Sequence, residues 1–366
     1  MIHCSAYLAD DRQGPGRLSE VPLDVLAVGS AELVLPEATV RDERGGALLD
    51  GGLVVDPSGG GGPLGDTERD RAARAFGLVN VAFHTQRALR AMAELLGRPL
   101  PHLVVRIGMH DAPRRWGGGH YRVSARSYDP GEPGTVGATG EVHLGGGNGY
   151  LPTAAGDTYF AAPSHNVAII YHEIGHHVCR HTADFRLNTL RPPLAQTNKK
   201  VPADEGTADL LTAILLGTPD VYGWHRAAVP AWDQRRRQLD PRWTMAHFRG
   251  GRTDPHSDGT VWASAGWTAR RRVTDAGHAP ARFDRMLLRG LALAGAEATA
   301  TDAEPTEQAL RQRRHFGALL AAMLRTDPEL TDPVLAGMAE HGIMPGETNA
   351  QLREAAMARL LVAVGE

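Results

Sequence analysis

Val167-Ala168-Ile169-Ile170-Tyr171-His172-Glu173-Ile174-Gly175-His176 is the stretch on which the reading of the whole chain turns. Five apolar residues lead into a His-Glu-x-x-His pattern, and Ser164, just upstream, is a suitable N-cap for a buried helix beginning there. Four residues advance about 400° on a helix, so His172 and His176 leave the same face about 6 Å apart along the axis and can converge on one ion. Glu173 points to the side, where its carboxylate can take a proton from a metal-activated water and pass it to a leaving amine. The competing reading is a core helix with two hydrogen-bonded histidines. The apolar lead-in, Gly175 and the acidic residues downstream favour zinc.

The third ligand decides which zinc chemistry is available. Cys179 shares the helical face of the histidine pair but stands seven residues from His172, about 10 Å of rise, too far for one tetrahedral site. A small buried cysteine is the expectation for it. His177 and His181 lie off the ligand face. A metzincin continuation needs Gly at 179 and His at 182, where this chain has Cys179 and Thr182. Glu205, in Asp204-Glu205-Gly206-Thr207-Ala208-Asp209, opens the next apolar helix and is the expected third ligand, leaving a fourth position for water. One turn later, Asp209 is placed to hydrogen-bond the far ring nitrogen of a ligand histidine, with His172 the expected partner. Without a metal, the same residues would be an ordinary acidic first turn.

Outward from this core, residues 67–97 carry apolar side chains at three- and four-residue steps and predict a long amphipathic helix closed by Gly97 and Pro99. Strands are expected at 103–107, 121–123 and 140–144, separated by glycine- and proline-rich loops including 117–119 and 130–134. The last strand is either an interior strand or the edge on which an extended substrate pairs. Beyond Asp204 the pattern is helical, near 204–216, 257–273, 279–294, 305–325, 332–341 and 350–364. Before all this, residues 21–55 suggest short strands and turns, and Ser58 to Pro63 reads as a flexible glycine linker, without the Gly-Lys-Ser/Thr ending of a phosphate loop. The expected fold class is α+β. A short β-rich segment and linker (1–65) precede a mixed sheet-plus-helix lobe (66–203) and an all-α lobe (204–366) that carries the third ligand. No internal repeat of fixed period is present.

Composition narrows the function classes. The 366 residues carry 39 basic and 42 acidic side chains, a net charge of -3, and 42% hydrophobic residues at a mean hydropathy of -0.28. This is a globular composition with no sign excess pointing to nucleic acid or an anionic membrane. Lysine occurs only at Lys199 and Lys200, so the arginine clusters 235–237 and 270–272 are expected to be solvated helix faces. Cys4 and Cys179 make no disulfide framework. The start, with Asp10, Asp11 and Arg12, lacks the basic and apolar regions of a secretory signal, and no run is long enough to span a bilayer, so the expectation is a cytoplasmic protein.

With His172, Glu173, His176, Glu205 and Asp209 in this order, the chain resembles the gluzincin metallopeptidases, with the Glu-x-x-x-Asp pairing of thermolysin-like and fungalysin-like enzymes. Phe76-Gly77-Leu78-Val79-Asn80 is similar to the helix preceding the sheet in that group. His256-Ser257-Asp258-Gly259-Thr260-Val261-Trp262-Ala263 resembles the fungalysin-like His-x-x-Gly-x-x-Trp-Ala stretch. The resemblance covers roughly 66 to 300 and implies a zincin-like fold, a Zn2+ cofactor and a peptide or protein substrate. It also implies that His256 stabilises the oxyanion of the tetrahedral intermediate, against the plainer reading of a helix start capped by Ser257. The chain departs from the family in three respects. Its 177–203 loop is longer, with Pro192-Pro193 and Lys199-Lys200, and the substrate-contacting arginine has only Arg242, Arg249 and Arg252 as candidates. A secretion signal and propeptide are not recognisable, which favours a restricted substrate. The alternatives are hydrolysis of a non-peptide amide or small metabolite, and a non-catalytic binding protein on the same fold, against which the presence of Glu173 speaks. No oxygen-rich calcium loop is readable.

Overall fold

A computed structural model describes residues 1–8, 17–57, 67–110, 116–123, 137–147, 150–152, 154, 156, 158–228, 237–239, 243–250, 254–301 and 314–365. Residues 10–12, the 58–63 linker, the 130–134 loop, Arg235, Arg236, Arg242, Arg252 and the first part of the helix expected at 305–325 lie outside these residues.

The architecture is mixed α+β, and the sheet begins much earlier than the expected boundaries implied. Strands β3 (Ala27–Val28), β4 (Glu32–Val34), β5 (Ala38–Asp42), β6 (Leu103–Ile107), β7 (Gly119–Arg122) and β8 (Glu141–Leu144) form one six-stranded sheet in the order β3-β4-β5-β6-β8-β7. Residues 27–42 of the β-rich segment 1–65 thus share the main sheet with strands of 66–203. Alternating burial along β5 places Ala38, Val40 and Asp42 inward, and the strand runs parallel to β6 with Val40 opposite Val105. Parallel neighbours need a long crossover, and α1 (Thr67–Leu96) supplies it. A further hairpin, β1 (Ile2–Leu8) with β2 (Arg17–Leu23), and the short pair β9 (Tyr150–Pro152) with β10 (Thr158–Phe160) stand outside the sheet.

The strand at 141–144 is interior, parallel to β6 on one side and antiparallel to β7 on the other, so among the described residues the edge falls to β7. Sequence does not settle this, because β7 precedes β8 in the chain but lies outside it in the sheet.

Helix α1 lies against β4 and β5, α2 (Val167–Arg180) against β7 and β8, and the two helices touch. All of α2 except Ile169 is buried. Its N-cap is Asn166, whose side chain accepts from the Ile169 amide at 3.1 Å. Ser164, the expected cap, instead sits in a preceding turn at Pro163–His165, where Gly77 of α1 approaches so closely that a Cβ there would stand 2.6 Å from the Ser164 Oγ. Asn80, three residues further along α1, ties this region together: it accepts from the Tyr7 amide at 3.0 Å and donates to the Ser164 carbonyl at 2.9 Å.

The remaining helices are α3 (Pro202–Leu216), α4 (Gly223–Ala228), α5 (Pro255–Asp275), α6 (Pro280–Thr301), α7 (Phe316–Thr326), α8 (Thr331–Glu340) and α9 (Asn349–Gly365). Proline at N1 starts α3, and Gly217 in the left-handed region (φ 74) ends it. Helix α3 is packed between α2 and α5 by backbone contact. A Cβ on Gly175 of α2 would meet the Ala208 Cα at 2.7 Å, and one on Gly206 of α3 would meet the Gly259 carbonyl oxygen of α5 at 2.2 Å. No helix among the described residues is long and apolar enough to cross a membrane.

Candidate metal centre

These glycine contacts bring three helices together at one point. His172 and His176 project from α2, and Glu205 projects from the first turn of α3. Its Oε2 lies 3.1 Å from the His172 Nε2 and 3.4 Å from the His176 Nε2. Donor atoms at about 2.0–2.1 Å from a tetrahedral ion stand about 3.3–3.4 Å from one another, so these separations suit one ion of that size. Two imidazoles and a carboxylate are a donor set for a borderline cation such as zinc. The group can hold a metal ion, and its members are all buried.

Each histidine is oriented from behind by a carboxylate. His172 Nδ1 donates to Asp209 Oδ1 at 2.8 Å, as its position one turn along α3 suggested. His176 Nδ1 donates to Asp204 Oδ1, also at 2.8 Å. Such partners fix the tautomer and turn Nε2 inward. Asp204 was readable only as part of an acidic turn, and its pairing depends on the rotation of α3 against α2. Asp209 is further held by Arg237, whose Nη1 lies 2.9 Å from Oδ1. Arg237 therefore leaves the solvated cluster to which composition assigned it, because a fully buried carboxylate needs a countercharge. Nothing in the sequence signals this pairing across 28 positions. Among the candidate arginines Arg249 is described, and its backbone amide donates to Asp258 Oδ1. Among the described residues, the arginine hydrogen-bonded into the centre is Arg237.

The charge balance follows from this enclosure. Burial raises the Glu205 carboxyl, but His176, His172 and His256 outweigh it and hold the group well below the usual carboxylate range. Burial and Lys200 depress His176, yet Asp204 and Glu205 raise it to about 9. Burial likewise works against His172, and Asp209 with Glu205 turns the net shift upward. Asp209, which burial alone would raise, is held down at about 2 by Arg237 and His172.

His256 reaches the same carboxylate. Its Nε2 lies 3.1 Å from Glu205 Oε2, and its Nδ1 donates to Asp254 Oδ1 at 2.7 Å. Helix α5 starts one residue before His256, at Pro255, and its cap is Asp254 rather than the Ser257 of the plainer alternative, so one carboxylate both caps the helix and orients the imidazole. The side chain is 37% exposed, against 3% for Glu205, and so stands at the mouth of the centre.

Glu173 is buried beside the histidines, and its Oε2 makes no hydrogen bond among the described residues. Edge strand β7 crosses directly over it: a Cβ on Gly119 would stand 2.9 Å from the Glu173 Cγ and 2.9 Å from the Ile169 Cγ2. Only glycine gives the strand this approach.

The other candidates are placed elsewhere. His177 bonds to the Tyr121 hydroxyl and the Pro101 carbonyl, and His181 bonds to the Thr139 carbonyl. Cys179 is buried, and burial pushes its thiol well above the ordinary range. Neither a scan of protein-family models nor a search of curated proteins finds a match to this chain.

Proposed function

We propose that the chain is a zinc-dependent peptidase of the gluzincin type, zincin-like in fold, acting on a peptide or protein substrate. The observation that carries this reading is Glu173: a buried carboxylate with one oxygen unengaged among the described residues, on the helix that supplies two of three converging ligands. A core helix has no use for such a group, since a buried polar atom left without a partner costs about 1–3 kcal/mol.

His172, His176 and Glu205 would hold the ion, which when bound supplies Lewis-acid polarisation of a carbonyl and lowers the pKa of water towards about 7. The steps assigned to the chain's own residues are proton transfers and positioning. Glu173 accepts the proton of the attacking water at its carboxylate and returns it to the leaving amine nitrogen. His256, held by Asp254, donates from Nε2 towards the carbonyl oxygen as negative charge develops there. Asp209, Asp204 and Arg237 keep the ligand imidazoles aimed. The backbone of β7, which among the described residues has strand pairing on one side, would offer its other side to an extended substrate above Glu173.

The test is metal content by mass spectrometry together with turnover of a peptide library, for wild type and Glu173→Gln. Zinc retained in both and turnover lowered about 10²–10⁴-fold in the variant is the expected result. A well-folded wild type that takes up no added zinc, or a variant that cleaves as fast as wild type, overturns the reading.

A further inference from the structure

We propose that His110, His120 and His143 form a second site, for a divalent transition ion such as zinc, that ties the segment after β6 to the edge strand β7. This site does not depend on the peptidase reading. One ring nitrogen from each histidine falls in a group whose atoms all lie within 4.8 Å of one another.

The fold brings these residues together from three elements. His120 and His143 are register partners across β7 and β8, and Tyr121 between β7's alternating positions turns to α2, so the two imidazoles share the opposite face of the sheet. His110, two residues beyond Gly108, reaches the same place through a left-handed backbone (φ 57), a conformation that costs free energy and concentrates at functional positions. The ring centroids are 4.5 Å apart for His110 and His120, 5.7 Å for His110 and His143, and 5.5 Å for His120 and His143. The Trp116 ring packs against His110 and His120 at 5.2 and 4.8 Å, giving the cluster an apolar wall.

The outer contacts are those of a ligand set. His143 is 1% exposed, and its Nε2 donates to Glu141 Oε2 at 3.0 Å, which orients the ring and presents Nδ1 to the cluster. Glu141 is fixed in turn by Arg106 Nε at 2.6 Å and by the Gly137 amide at 2.9 Å. Three imidazoles are the donor set of nitrogen-preferring ions and leave a fourth position open. The Nε2 atoms of His110 and His120 are 2.8 Å apart, so an ion entering between them parts them by about half an ångström. Arg122 Nε lies 2.9 Å from the same nitrogen of His120 and must swing away, so this site binds more weakly than the first.

The consequence lies in β7. It has four residues and a paired neighbour on one side, and its first residue, Gly119, rests on Glu173. An ion bound to the adjacent His120 would pin the strand at that register.

The experiment is equilibrium dialysis of the full chain against zinc, with bound metal counted by mass spectrometry. Wild type is expected to bind two ions per chain, His120→Gln one, and His172→Ala/Glu205→Ala one, the last with a nitrogen-rich shell by X-ray absorption. Arg122→Met keeps all three imidazoles and is expected to tighten the weaker step about tenfold, a gain that misfolding cannot produce. Equal stoichiometry in wild type and His120→Gln, with no change from Arg122→Met, overturns the proposal. A single ion lost in His120→Gln but kept in His172→Ala/Glu205→Ala would uphold this site and overturn the first.

Discussion

His176 shows what a buried ligand requires. With its pKa at about 9 it carries protons on both ring nitrogens near neutrality, Nδ1–H towards Asp204 and Nε2–H towards Glu205, and an ion must displace the Nε2 proton to bind. Zinc titrated into chelator-treated protein, in two buffers of different ionisation enthalpy, should release at least one proton per ion at the first site. The affinity of that site should rise about tenfold per pH unit for each proton released, below the folded pKa. Binding heats that are independent of the buffer would show that the imidazoles are already neutral. The pair His172 and His176 and the carboxylate Glu205 were legible in the sequence because helical spacing is local, and an acidic turn opening the next apolar helix is a short-range signal. Asp204, Arg237 and Asp254 were not, since each acts through the packing of one element on another.

At the scale of elements, the centre is a meeting of α2, α3 and α5 at bare backbone. The closest of these contacts is Gly206 against Gly259, where an added methyl would stand 2.2 Å from a carbonyl oxygen that cannot turn aside. Gly206→Ala should therefore lower stability by about 1–3 kcal/mol and separate Glu205 and His256 from the histidines. Gly290→Ala is the matched control, since its Cβ would meet Met323 at 2.5 Å, where α6 packs on α7. Calorimetry and zinc titration distinguish the two: both variants should melt earlier, but only Gly206→Ala should lose zinc affinity. Equal affinity in both would mean that the ligands do not depend on this spacing. The helices beyond 204 were readable from their periodicity. The strand order β6-β8-β7 was not, because four-residue strands carry too little pattern to say which is the edge.

In the whole molecule, further histidines outside either cluster are buried as neutral groups. His84 sits between the Tyr171 hydroxyl and the Tyr7 carbonyl, and burial, aided by Arg87, holds it down at about 3. Burial also depresses His165, which bonds to the Ala73 carbonyl, to about 4. Both folded values lie below the unfolded value of about 6.5, so above that pH neither state gains a proton over the other. As pH falls below it, the unfolded chain takes up protons that the folded chain refuses, and stability is lost down to the folded values. Urea unfolding in the presence of a chelator, which removes the metal contribution, should show a loss of about 2–4 kcal/mol between about pH 7 and pH 5. A flat profile over that window would leave these burials without energetic weight. That residues 27–42 would complete the main sheet was not legible either, since β5 meets β6 only across a crossover that contains the 30-residue helix α1.

The distance along the chain between His176 and Glu205 carries a consequence in time. The ribosome adds about 5–20 residues per second, so the histidine pair emerges seconds before the carboxylate that completes its set. By then β5, α1 and β6 have already been made, and the sheet can start to form while the centre is still two imidazoles on one helix. An ion captured in that interval is held by half a site and exchanges freely with whatever else the surroundings offer. Under the proposed metal reading, which ion fills the centre would thus be decided late, when α3 closes, and by the free concentrations of competing ions at that moment.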